Sequence, residues 1–189
     1  PGFPIIIGLD PGSVFNAFIF QQYLRVDDRM KWVIFDELVS IRKRISYPDF
    51  IPMVMRRVLW WREEIGVGNV DLPQVWISDN SAFNQYRAAH GSFDVLEIEK
   101  IYEMNRAKYK IEPLKVKQAP KFSGSVIARV QLTQRLLSEE NVVVSSGCPH
   151  VNRMFFNLQG KKPKAGEPLD PEALLTPQRS DFTHTFDAM

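Results

Sequence analysis

Cysteine is almost absent from this chain. Cys148 is the only one in 189 residues, so no disulfide can form within it and a reducing interior is expected. Long apolar runs are absent too. None approaches the roughly 20 residues that cross a bilayer, so no membrane partner is expected. The first residues lack the basic-then-apolar order of a signal peptide. No GxxxxGK[ST] phosphate loop occurs, which argues against ATP hydrolysis by that device. Histidines number 3, and with one thiol they leave little for a zinc site.

What is present suits one globular domain, residues 1–189. Hydrophobic residues make up 44% and aromatics 12%, enough for a sizeable core. Net charge is only +2, yet the basic residues cluster. Arg42, Lys43 and Arg44 form one group; Arg106, Lys108, Lys110, Lys115, Lys117 and Lys121 a second; Lys161, Lys162 and Lys164 a third. Each cluster alone is compatible with solvated surface. Together, around acidic positions, they suit a phosphate-backbone ligand. The chain starts at Pro1 and stops at Met189 in a helical-looking stretch, so both ends read as cut from a longer protein.

Apolar patterning predicts the elements. Residues 4–10, 15–24 and 31–39 read as three strands joined by short turns, hence antiparallel neighbours. Apolar residues at Phe50, Val54, Val58, Trp61 and Ile65 then fall at helical spacing, with Gly66 and Gly68 as the stop. A fourth strand at 73–78 precedes a short helix at 80–89. A charged helix at 94–109, a fifth strand at 113–118 and a helix at 124–137 follow, with Val126, Val130 and Leu137 on one side. A strand at 141–145, a helix near 148–158, an exposed loop at 160–179 and a last helix opened by Asp181 complete the order. This is an α/β arrangement: a mixed sheet with helices on its faces.

Two of the strands end in aspartate, Asp10 and Asp79. If strands one and four are parallel neighbours, both acids stand at the carboxyl-terminal edge, where open α/β sheets bind ligands. Asp187 lies on the final helix, one turn after His184. Three converging carboxylates repel unless a cation neutralises them. All-oxygen ligands favour Mg2+ or Mn2+, and two such ions can clamp a phosphodiester. Other roles are open for each residue. Asp10 suits a turn cap before Pro11, Asp79 a helix N-cap, Asp187 a solvated face and His184 a packed or surface site. Asp36 and Glu37 inside strand three are rival acids, as is Asp181.

GLDPGS in the first strand, VWISDNSAFNQY at the fourth and DFTHTFDAM at the C-terminus resemble the nuclease domain of tailed-phage terminase large subunits. KVKQAPKFSGSVIARVQLTQRLLS resembles that family's strand, basic loop and arginine-bearing helix. The resemblance runs from about Ile5 to Met189. It implies a ribonuclease-H-like fold, with Asp10, Asp79 and Asp187 as catalytic acids holding two Mg2+ or Mn2+ ions and His184 matching the family's histidine. It implies a metal-dependent endonuclease that cuts double-stranded viral DNA concatemers, with Lys115, Lys117, Lys121 and Arg129 on the DNA backbone. The implied partners are DNA, an ATPase domain of the same polypeptide (absent here), the portal protein and the small terminase subunit. The implied location is the host cytoplasm, outside the mature virion. The chain departs from the family by stopping just after Asp187-Ala188.

Other readings share some of these residues. GLDPGS also resembles the first phosphate loop of actin-like ATPases and sugar kinases, but no second glycine-rich phosphate loop or adenosine loop follows. Holliday-junction resolvases and transposases share the expected metal site. A DNA-binding or motor-docking module with vestigial acids is the non-enzymatic alternative.

Overall fold

The computed structural model describes residues 4–12, 15–41, 45–64, 74–83, 94–160, 177 and 181–189. The first and third basic clusters, Gly66, Gly68, residues 84–89 of the helix expected at 80–89 and most of the 160–179 loop lie outside the described residues, as does the side chain of Asp181.

A six-stranded sheet in the order β5-β4-β1-β2-β3-β6 forms the centre. Strands β1 (Ile5–Asp10), β2 (Phe15–Val26) and β3 (Arg29–Ile41) make the antiparallel meander. Strand β4 (Gln74–Ser78) lies parallel to β1, as do β5 (Lys117–Gln118) to β4 and β6 (Val142–Val144) to β3. The hairpin between β2 and β3 is tighter than the sequence suggested. Asp27 and Asp28 take positive φ of 48° and 61°, which fits a two-residue turn matched to strand twist.

Alternation divides β1 between two layers. Ile5, Ile7 and Leu9 join a core with Phe18, Phe20 and Trp76 beneath α1 (Tyr47–Glu64) and α2 (Asp94–Tyr109). Helix α1 contributes Phe50, Ile51, Val54, Met55 and Val58 at helical spacing. Trp76 lies edge-on to both Phe18 and Tyr102. Each such side chain stabilises the fold by about 1.5–3 kcal/mol through burial. On the other face, Ala17, Ile19, Trp32 and Ile34 meet α4 (Pro149–Asn157) and α5 (Asp181–Asp187).

Helix α3 (Ser125–Ser138) differs from expectation. Val126 and Leu137 remain 40% and 42% exposed, and Thr133 is its buried residue. Val130 packs inward as expected, but beside it the helix turns Arg129 and Leu136 inward, and Arg129 has a partner beneath it. The expected fifth strand also shrinks to Lys117–Gln118. The Val116 amide donates to the Glu99 carboxylate at 2.7 Å rather than to a neighbouring strand.

Candidate functional site

Strand register sets the first two acids side by side. Leu9 of β1 pairs with Ser78 of β4 in parallel. The next residues, Asp10 and Asp79, therefore emerge together at the carboxyl edge of the sheet. The Ser78 hydroxyl donates to the Leu9 carbonyl at 3.1 Å and ties the two strand ends. Asp79 also opens the 3-10 turn Asn80–Phe83: the Ala82 amide donates to its carbonyl at 3.1 Å and the Ser81 hydroxyl to its carboxylate at 3.4 Å. Its backbone and one oxygen thus shape the turn while it stands at the sheet edge.

Helix α5 brings the remaining residues over that edge. His184 Nδ1–H donates to the Asp10 carboxylate at 2.6 Å. Asp187 lies three residues further along α5, and its carboxylate accepts from Arg129 at 2.5 Å. The Arg129 guanidinium also lies over the buried Phe186 ring, 4.6 Å from its centroid. Sequence reasoning assigned Arg129 to DNA; here it binds a carboxylate of the site. Helical amphipathicity carries no signal for that contact, which joins two separate elements.

The acids feel one another. Partial burial raises the Asp187 carboxyl above the usual carboxylate range, Arg129 pulls it down, and Asp10 and Asp79 push it up again. All three carboxylates therefore share one field. Among the described residues, no three His, Cys, Asp or Glu side chains are placed to hold a metal ion together. His184 and Arg129 instead hold two of the three acids. The donors nevertheless fit a hard divalent cation in type, since all are carboxylate oxygens. Their mutual repulsion is what such a cation relieves.

The rival acids have structural partners. A register shift beside Phe20 and Gln21 puts Phe35 and Asp36 on the α1 face of β3. There Asp36 accepts from Trp61 Nε1 at 2.6 Å and pairs with Arg57 at 3.1 Å. Glu37 points to the other face and caps α4, accepting from the His150 and Val151 amides at 2.8 and 2.9 Å and from His150 Nδ1 at 2.7 Å. A carboxylate suits the positive N-terminal end of a helix.

Lys115, Lys117 and Lys121 are exposed on the segment that passes the site. Gln118 pairs with Ser78, and the Ala119 amide donates to the Ser78 carbonyl at 2.8 Å, so this segment runs beside Asp79.

The architecture is similar to that of the nuclease domain of the large terminase from bacteriophage SPP1, a structure with bound Mn. The TM-score is 0.56 at 21% identity, covering 98% of this chain and 82% of that one. A second likeness is to the yeast mitochondrial Holliday junction resolvase Ydc2, with TM-score 0.48 at 13% identity, covering 93% of this chain and 77% of that one. No family model matches the chain. No curated protein matches it either. The first likeness establishes the fold as ribonuclease-H-like.

Proposed function

We propose that this chain is a metal-dependent endonuclease that cuts double-stranded viral DNA concatemers during genome packaging. What supports the reading is the strand pairing that sets Asp10 beside Asp79, with the His184–Asp10 hydrogen bond bringing the helix of Asp187 over that edge. The terminase-specific part rests on the fold likeness over 98% of the chain and on the motif resemblance. In that reading an ATPase domain belongs to the parent polypeptide. Portal protein and small terminase subunit are its partners, and the host cytoplasm is where it acts.

Asp10 would hold both of two Mg2+ or Mn2+ ions, and Asp79 and Asp187 one each. When bound, such ions supply water activation and neutralise charge on the phosphate. The chain's own residues do the rest. His184 Nδ1 lies 2.6 Å from the Asp10 carboxylate; with the proton held there, a neutral ring would present its acceptor at Nε2. That atom can orient a water or accept its proton. Asp187, paired with Arg129 in this structure, would be a ligand for such an ion, and Arg129 would then be available to a phosphate. Lys115, Lys117 and Lys121 hold the DNA backbone without reading bases.

The test is plasmid cleavage in Mn2+ by wild type and Asp10→Asn. Loss of several kcal/mol of charge stabilisation predicts a fall of about a thousandfold. Undiminished cutting by the variant ends this reading.

A further inference from the structure

We infer that Gly8 and Gln21 form a seat that positions Asp187 for cation binding; the inference rests on the nuclease reading above. Helix α5 spans Asp181–Asp187. It packs against α4 as well as against β1 and β2, and two strand residues shape the contact at its end. A Cβ on Gly8 would lie 1.7 Å from the Ala188 carbonyl oxygen and 2.8 Å from its carbon. Those are backbone atoms, so no side chain can swing aside. Residue 8 must be glycine for the chain just after Asp187 to lie against β1, two residues before Asp10.

Gln21 completes the seat. It is buried in β2 opposite Ile6, next to the pair of Gly8 with Ile19. A buried amide in an apolar strand is costly unless its hydrogen bonds are met. Trp32 Nε1 donates to Gln21 Oε1 at 2.7 Å, which fixes the amide's orientation. Gln21 Nε2 then donates to the Met189 carbonyl at 3.1 Å. Gly8 provides the space and Gln21 the anchor. Thr185, Phe186 and Ala188 are buried around Asp187, so its carboxylate goes where the seat puts the backbone. Gly8 and Gln21 are positioning residues that act through Asp187.

The experiment is calorimetric Mn2+ binding to the full chain as wild type, Gly8→Ala, Gln21→Met and Ile98→Val. Ile98 is buried in the opposite core, so its truncation lowers the melting temperature without touching the seat. Supporting residues around a metal typically carry about 10–100-fold in affinity. Gly8→Ala and Gln21→Met should weaken Mn2+ binding by that factor, while Ile98→Val leaves it unchanged. In the metal-free protein, the Trp32 indole N–H resonance should move in Gln21→Met. If Gly8→Ala does not fold, Gln21→Met decides. Wild-type affinity in a folded seat variant overturns the inference and leaves the nuclease reading intact. A wild type that binds no Mn2+ overturns both.

Discussion

Arg129 and Asp187 meet at 2.5 Å across 58 residues of sequence. The pair puts a guanidinium where the proposed chemistry needs a metal cation. On the proposed chemistry, Arg129 would compete with metal for Asp187. Arg129→Gln should bind Mn2+ more tightly, by up to about fivefold, the worth of a partly exposed ion pair. The same variant should bind DNA more weakly. Calorimetry and a filter-binding assay check the two halves; weaker Mn2+ binding by the variant would count against competition.

The raised Asp187 carboxyl predicts a pH dependence. Its folded pKa lies above the unfolded value, so folding favours the protonated form. Its contribution is fully present below the ordinary carboxylate value, about 3.9, and is lost as pH rises through the folded value. With a chelator present, wild type should lose thermal stability relative to Asp187→Asn as pH climbs through that window. Mn2+ should reverse the trend, because a cation favours the ionised acid. Parallel melting curves for the two proteins would contradict a raised Asp187 carboxyl.

Glu37 is predicted to be structural. Glu37→Ala strips the partner from two helix amides and a ring nitrogen. Unsatisfied buried donors suggest a cost of about 3 kcal/mol, with Mn2+ affinity unchanged. Denaturant unfolding measures the first and calorimetry the second. A stable variant with weakened metal binding would make Glu37 a ligand.

The exposed lysines should act through phosphates. Replacing Lys115, Lys117 or Lys121 with Ala should weaken binding to any duplex sequence alike. Each should reduce the salt slope by about 1. Sequence-dependent losses would point to base contacts instead.

The placement of Asp10 beside Asp79 was legible in the sequence because the signals were local. An apolar run ending in Asp10, and another ending at Asp79, needed only the parallel pairing of β1 with β4 to stand together. His184 and Asp187 were legible as one turn of helix. The rest depended on contacts between distant segments. Val126, Val130 and Leu137 make an apolar stripe, yet α3 turns Arg129 inward to meet Asp187. Pro113 to Gln118 looks like a strand, but only its last two residues find β4, because Glu99 takes the Val116 amide first. Asp36 and Glu37 looked like rival ligands until their helix partners appeared on opposite faces. Gly8 carried a readable hint, a glycine inside a β-branched strand, though not the identity of the backbone that lies against it.

The central claim is that Asp10, Asp79 and Asp187 share divalent cations. Anomalous diffraction from crystals soaked in Mn2+ tests it most directly. The account predicts manganese peaks coordinated by Asp10, with Asp79 and Asp187 completing the ligands and Arg129 displaced from Asp187. Fully occupied manganese elsewhere, with these three carboxylates unliganded and Arg129 still on Asp187, would contradict it.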